Sequence, residues 1–470
     1  MNSTRRILYI GLCEILTLTL IPSCMVVRKE YHRPQFAENT LDSLYRKQNQ
    51  GSDTTSIAAL PWRMLFKDAQ LQLLIEKGME NNNDLKVAEA RIKSAKAAFS
   101  QSKKALLPSL TYILSASREK ISDSENGSST ITNSFSALGE ASWEADIWGK
   151  LSSTKKADYY LLKKSEGYKK EVQTEVVASI AEYYYTLMAY DKQLDITNRT
   201  IINREQDVKM TKALFEFSTG TSSDVSQSIA NLHSAKLTKV SLEQSIEEAE
   251  NALCTVLGIP AKKIHRNNFS NDLEIPSIQI GLPIQLLANR PDVEEAENNL
   301  RYYTEMVNVA RAYFYPSLSI SGDIGWESSK LKKLIDPASF VWSLLGSLTQ
   351  PIFQQGENKQ RLEEAKANVD EYTATFKQTL LDAAQEVNDN MIQYKKGKEL
   401  ESERMIQIQN LEKAVDDTKF IMGKSSSVNY VDVLTAEKSL LNAELSAIDD
   451  KLQQTNAIIG VYRSLGGGWK

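Results

Sequence analysis

The 470-residue sequence predicts a mixed fold, two copies of one unit that joins very long helices to a β-hairpin. Three observations carry this. The stretch "ALLPSLTY" at 105–112 returns as "YFYPSLSI" at 313–320. Prolines are absent from two long intervals. The segment after each repeated proline alternates apolar with small or polar residues.

Pro108 and Pro316 lie 208 positions apart (316 − 108). At the same offset Asp84, Ala88, Glu89, Ser109 and Leu110 match Asp292, Ala296, Glu297, Ser317 and Leu318. Asp224–Val225 matches Asp432–Val433, and Leu257–Gly258 matches Leu465–Gly466. A repeat of this kind implies units that stack or close on one another.

No proline occurs between Pro108 and Pro260, or after Pro351, and glycine is sparse in both intervals. Without breakers, long helices are allowed. In the second interval Leu362, Ala365, Val369, Tyr372, Phe376, Leu380, Ala383, Val387, Met391 and Tyr394 recur every three or four residues. The other faces are Lys, Glu, Gln, Asn and Asp, so the apolar stripe is narrow and reads as a coiled-coil-like seam. A helix over 356–422 is expected, roughly 100 Å long at 1.5 Å per residue, with its counterpart over 150–218. The breaks "FSTGTSSDV" and "GKSSSVNYVDV" each precede a second helix ending at Leu-Gly.

After Pro316, Leu318, Ile320, Gly322, Ile324 and Trp326 alternate with Ser317, Ser319, Ser321, Asp323 and Gly325. Phe340, Trp342, Leu344, Gly346 and Leu348 follow. The first copy offers Leu110, Tyr112 and Leu114, the polar loop "SDSENGSST", then Phe135, Ala137, Gly139, Ala141 and Trp143. Period-two alternation predicts two hairpins with strands of about ten residues, the length of a tilted membrane strand. Tyr112, Trp143, Trp326 and Trp342 are the candidates for interfacial aromatic girdles. On these residues alone, half-buried hairpins in a soluble domain fit equally well. If the strands cross a membrane they must close, because an open edge leaves N–H and C=O groups unsatisfied in lipid. Four strands are too few for the smallest barrels, which have eight, so copies of the chain must then combine.

At the N-terminus Arg5 and Arg6 precede the apolar run "ILYIGLCEILTLTLIPSC", interrupted by Glu14. The run is short for a spanning helix, which needs about 20 residues, and suits a secretory leader. Ile21-Pro22-Ser23-Cys24 resembles the box at which bacterial lipoproteins are cut and lipidated, making Cys24 a candidate lipid anchor; plain secretion with cleavage elsewhere is the alternative.

A net charge of −4 gives no basic field for nucleic acid. Cys13, Cys24 and Cys254, with His32, His233 and His265, form neither a disulfide framework nor a metal motif. No phosphate-binding, zinc-protease or nucleophile-elbow motif occurs, so no enzyme, cofactor or metal site is expected. Cys254 reads as a small buried hydrophobe, His233 as a surface or seam residue, and "GGGWK" as a helix stop with a short tail.

Four further segments carry a family resemblance. "PWRMLFKDAQLQLLIEKGMENNNDLKVAEARI", "EADIWGK", "GLPIQLLANRPDVEEAENNL" and "QPIFQQGENK" resemble, in order, the opening helix, the post-strand signature, the inter-repeat Arg-Pro-Asp element and the Pro-Ile-Phe element of the TolC-like outer membrane efflux family, in its lipoprotein branch. The likeness runs from Trp62 to Gly466. It implies a long helical periplasmic barrel joined to a transmembrane β-barrel, four strands per chain, in a homotrimer. It also implies a channel fed by an inner-membrane pump and a periplasmic adaptor, anchored in outer membrane lipid. The corresponding domains are a signal peptide (1–23), a lipidated extension (24–65), a first repeat (66–260, hairpin 109–145), a linker (261–283) and a second repeat (284–470, hairpin 317–350).

In the family an aspartate at the helix–break–helix tip forms a ring near the threefold axis. Asp432 in "NYVDVL" matches that position and Asp224 is its repeat mate. Where some members carry a second aspartate this chain has Thr435, and Gly423 lies farther ahead of Asp432 than usual. An Asp in a first helical turn also simply favours the helix dipole, by roughly 0.3–1 kcal/mol. Two other functions remain open: a channel for protein export within the same fold, and a secreted coiled-coil scaffold or adhesin without a pore. The lipoprotein box and "NRPDV" favour efflux over export, and the hairpins argue against a scaffold. The cargo is not legible, and the methionines form no obvious cluster, so metal efflux gains no special support.

Overall fold

The computed structural model describes residues 29–34, 61–123, 128–217, 220–267, 290–422 and 430–469. The elements in order are α1 (Trp62–Leu65), α2 (Ala69–Asn81), α3 (Asn83–Lys104), β1 (Ser109–Asp123), β2 (Ser128–Ala145), α4 (Lys150–Glu216), α5 (Ser222–Val256), α6 (Pro291–Ala312), β3 (Ser317–Ser328), β4 (Phe340–Thr349), α7 (Glu357–Met422) and α8 (Tyr430–Ser464). The long helices α4 and α7 have 67 and 66 residues, as the proline-free intervals predict.

The chain forms two compact units. The first holds 91–166, 295–377 and the segment 29–34, and contains the sheet. Its strands follow the order β1-β2-β3-β4, all antiparallel. β1 and β2, with 15 and 18 residues, exceed the expected ten. Their pairing runs on through Arg118↔Asn133 to Asp123↔Ser128, so most of the polar stretch read as a loop is strand. β-branched threonines and serine pairs suit a pleated surface even where nothing buries them. The stripe of α7 is seated here too: Ala365 packs with Val307 and Ala310 of α6, with Leu362 and Val369 beside them. Segment 29–34 lies along α6, where the Lys29 N–H donates to Asn308 Oδ1 (2.9 Å) and Asn308 Nδ2 donates to the Lys29 carbonyl (3.0 Å).

The second unit holds 36–90, 167–294 and 378–470. Its core gathers Phe66, Leu71, Ile75, Ile180, Tyr184, Leu187, Leu253, Leu257, Val387, Ile459 and Tyr462. The opening segment read as one helix is three here. Asp68 stops α1 from running into α2 by capping it, accepting from the N–H groups of Gln70 (2.8 Å) and Leu71 (3.3 Å). Asn82 divides α2 from α3: its side chain accepts from Leu85 N (3.0 Å) and donates to the Val256 carbonyl (2.8 Å). Short polar side chains compete with the helical ladder in this way.

Both Leu-Gly pairs end their helices by the same device. Gly258 (φ 65°) and Gly466 (φ 81°) take the left-handed conformation. The N–H of Ile259 reaches the Cys254 carbonyl (3.0 Å), and that of Gly467 reaches the Tyr462 carbonyl (2.9 Å). These are matching Schellman caps. Any side chain at Gly258 would collide with the Asn81 carbonyl, 2.5 Å from an added Cβ. The C-terminal tail is more than a stop: Gly467 fits against the Tyr462 ring, and Lys170 Nζ lies 4.7 Å from the centre of the Trp469 ring. Cys254 is buried as expected.

Candidate functional site

Two places carry the functional reading, the sheet in the first unit and the helix ends near residues 204–228 and 419–437 in the second. In the sheet the register aligns every apolar set. Leu110 faces Ala141, which faces Gly322, which faces Leu344; one step along, Tyr112, Gly139, Ile324 and Trp342 share a row. One face therefore presents Leu, Tyr, Ile, Trp, Ala and Gly from all four strands. It is open to the surroundings: Leu110 is 83% and Leu344 73% exposed. The other face presents Thr111, Glu140, Asp323 and Ser343 in one row, with Ser343 Oγ donating to Asp323 Oδ2 (2.9 Å). Ser115 and Ser136 pair on that face at 2.7 Å. The reverse is mixed, its hydroxyl and carboxylate rows interrupted by Ile113, Leu138, Gly325 and Val341; a sheet with one continuous apolar face and a more polar reverse suits a wall between lipid and water. The aromatics spread along it: Trp143 sits at the helix end, Tyr112 and Trp342 share a row two steps farther along, and Trp326 packs on Phe340 beyond them.

The segment "EADIWGK" makes the corner between β2 and α4. Asp146 caps α4, accepting from Leu151 N (2.8 Å), Ser152 N (2.9 Å) and the Ser152 hydroxyl. Trp148 Nε1 donates to the Pro316 carbonyl (2.7 Å) and its ring stacks on Tyr315 at 4.7 Å. Gly149 supplies the positive φ of 74° the turn requires. So the motif locks the start of β3 to the end of β2. In the second unit, Arg290 of "NRPDV" is buried and donates to Asp292, to Glu386 (2.9 Å) and to the Ser464 carbonyl (2.6 Å), tying the start of α6 to the end of α8.

At the helix ends, Asp224 and Asp432 are each the third residue of their helix. Asp224 completes a capping box: its N–H donates to Thr221 Oγ1 (3.2 Å), and its carboxylate accepts from Thr221 N (2.9 Å) and Thr221 Oγ1 (2.6 Å). Asp432 is exposed on the first turn of α8. Beneath lies a cluster the sequence did not announce. Arg204 of α4 pairs with Asp207 (3.3 Å) and with Glu437 of α8, which also receives Lys419 of α7 (2.6 Å). Arg204, Asp207 and Glu437 are all buried. Burial, then the neighbouring Glu437 charge, push the Asp207 carboxyl up to about 6, with Arg204 and Lys419 pulling the other way. Tyr430 packs alongside; burial raises its hydroxyl, which finds no hydrogen-bond partner among the described residues.

The sequence pattern of the outer membrane efflux protein family matches residues 74–259 and 282–467, once per repeat. The chain belongs to the outer membrane efflux protein family. This bears out the resemblance carried by "EADIWGK" and "NRPDV". The efflux protein is 29% identical over 415 residues to "Probable efflux pump outer membrane protein TtgC" of Pseudomonas putida, covering 87% of this chain and 85% of that one. It is 26% identical over 469 residues to "Probable outer membrane lipoprotein SilC" of Salmonella typhimurium, covering 97% and 98%. Among solved structures its fold is similar to a membrane protein from Pseudomonas aeruginosa (TM-score 0.85, 24% identity, 93% and 99% covered) and to the outer-membrane channel OprN (0.84, 25%, 94% and 99%).

Of the residues singled out in the sequence, Cys24 lies outside the described residues, as does Gly423. Asp224 and Asp432 hold equivalent helix positions, and the structure gives Asp224 a capping task. The buried cluster was missed because Glu437, which joins Arg204 to α8, lies 233 positions from it, although Asp207 is only three residues away. One signal existed: at the repeat offset Asp207 and Thr211 stand opposite Val415 and Lys419, a mismatch in polarity on otherwise matched helices.

Proposed function

We propose that three copies of this efflux protein close twelve strands into one barrel and act as a passive conduit, carrying small molecules from an inner-membrane pump and periplasmic adaptor to the exterior. The observation that carries it is the sheet: four strands, apolar on one face, with the edges of β1 and β4 unpaired among the described residues. Open edges are untenable in lipid, so partner copies must complete the barrel. Beside the β4 edge, Ile352 and Phe353 are 98% and 84% exposed, apolar surface that a neighbouring copy would cover. Relatives named for toluene and antibiotic efflux support small molecules as the cargo class. Nothing in the reading calls for catalysis.

Within this reading, 66–260 and 284–470 are the two repeats, joined by 261–283, and Cys24 carries the lipid anchor after removal of 1–23. The lipoprotein-like box Ile21-Pro22-Ser23-Cys24 supports the anchor. Asp432 lines a resting gate, with Asp224 a lesser contributor. Planar-bilayer recording tests the conduit: purified trimers should give unitary, cation-preferring current steps, and verified trimers that never conduct would defeat it. Metabolic labelling with a palmitate analogue tests the anchor: Cys24→Ala should lose the label, and unchanged labelling would remove Cys24 from the account.

A further inference from the structure

The far end of the sheet carries a charge pattern that a conduit does not use. β1 and β2 pair beyond the last β2–β3 partners, Phe135↔Ser328, through Arg118↔Asn133 and Lys120↔Ile131. Arg118 and Lys120 continue the even-numbered apolar face of Leu110, Tyr112 and Leu114. At the same end, the connection from β3 to β4 reads Lys330-Leu331-Lys332-Lys333-Leu334-Ile335. All five cations are exposed, and among the described residues none forms an ion pair. Three acids described at this end are turned elsewhere. Glu119 and Glu327 belong to the polar face, where Glu327 accepts from Ser134 Oγ (3.1 Å), and Asp336 caps a turn by accepting from Ala338 N (3.0 Å). Beside the lysines, Leu331 is 64% and Ile335 81% exposed. One step back along the apolar face, Trp326 meets Phe340 edge-on, ring centres 5.9 Å apart.

Cations interleaved with exposed aliphatic side chains, at the rim of an apolar face beside paired aromatics, match a membrane interface. Ammonium and guanidinium groups reach phosphate oxygens there while the aliphatic groups enter the acyl layer. A bare anion would make no use of Leu331 and Ile335. We propose that Arg118, Lys120 and the 330–335 turn dock phosphorylated headgroups of lipid in the outer leaflet, with Leu331 and Ile335 inserted among the acyl chains. The proposal rests on the conduit reading, in which the even-numbered face meets lipid.

The test is lipid retention by full-length trimers in detergent, read by native mass spectrometry. The probes are lipid A with two phosphate monoesters, phosphatidylcholine, and inorganic phosphate as competitor. Wild type should retain lipid A in preference to phosphatidylcholine. K330Q/K332Q/K333Q should weaken lipid A retention by roughly a hundredfold and erase the preference. K93Q/K209Q/K212Q, which removes exposed lysines elsewhere, should change nothing. Leu331→Ser with Ile335→Ser should weaken both lipids together. An undiminished preference in the triple turn variant would overturn the proposal. Displacement of lipid A by equimolar inorganic phosphate would overturn it too, by reducing the patch to a free-phosphate site. Planar-bilayer current separates the two claims: a turn variant that conducts normally but loses the preference supports both, and wild-type trimers that bind lipid A yet never conduct defeat only the conduit.

Discussion

The sheet and the helix ends are built from the same two repeats, which agree on the faces of the sheet and diverge in the polar groups buried near the helix ends. Both hairpins carry apolar even-numbered residues on β1, β3 and β4 and apolar odd-numbered ones on β2, all on one face. At the helix ends the copies diverge. Arg204, Asp207 and Thr211 in the first stand where Glu412, Val415 and Lys419 stand in the second, and Glu437 stands opposite Ile229. The first break is closed by hydroxyls, Thr211 to Ser228 at 2.9 Å and the Thr221–Asp224 box; the second is flanked by buried ion pairs reaching across three helices. A wall can repeat because every copy meets the same two solvents. A gate at the helix ends, as proposed above, would need flanks that differ, one of which can be released without the other.

The largest expected effect breaks the asymmetric side. Arg204→Ala leaves Asp207 and Glu437 buried with too little positive charge, and stranding a buried partner costs about 3–5 kcal/mol. Hydrogen exchange should accelerate at 204–211 and 430–437, with the sheet unaffected; unchanged protection there would mean the cluster holds nothing together. Replacing Arg204, Asp207 and Glu437 together by Met, Leu and Met should recover most of the loss.

On the symmetric side, Arg at Ile320 or Leu344 should cost roughly 2–4 kcal/mol if near the bilayer midplane. Arg at Ser319 or Ser343 should be tolerated. Heat-resistant trimer bands from outer membranes give the readout, and four equal mutants would refute the faces assigned to β3 and β4.

A smaller effect follows from acidity. The Asp207 carboxyl sits at about 6 in the fold, against about 3.9 for an unperturbed aspartate. The fold therefore resists the charged form. Its contribution to stability is complete below about pH 4 and is lost as pH rises through about 6. Tip amides, corrected for intrinsic rates, should be better protected at pH 5 than at pH 7, and Asp207→Asn should flatten the difference. Protection that falls on acidification would show that the paired charges, not burial, govern the site.

The two tip aspartates give the finest contrast. Asp224→Ala removes a capping box worth about 1 kcal/mol and should lower local stability with little change in current. Asp432→Ala should weaken both cation selectivity and block by a trivalent cation added from the periplasmic side, since clustered carboxylates focus potential. The reverse pattern would exchange their roles.

Much of this was legible in the sequence. Proline-free intervals gave α4 and α7 nearly to their ends, and period two gave every strand face, because a side chain's direction in a strand follows from its position alone. The twin Leu-Gly stops were legible for the same local reason. What was hidden depends on pairing across distance: the zipping of β1 and β2 through polar residues, the Asn82 break set by the Val256 carbonyl, and the Arg204–Glu437 bond between helices far apart in the chain.

The central claim is that the sheet is a wall with lipid on one side and water on the other. Single cysteines at positions 317–326 in membrane-inserted trimers, challenged with a water-soluble maleimide, test it most directly. The account predicts labelling at positions 317, 319, 321 and 323 and protection at 318, 320, 322 and 324, a strict period of two. Uniform labelling along β3, or the inverse pattern, would contradict it.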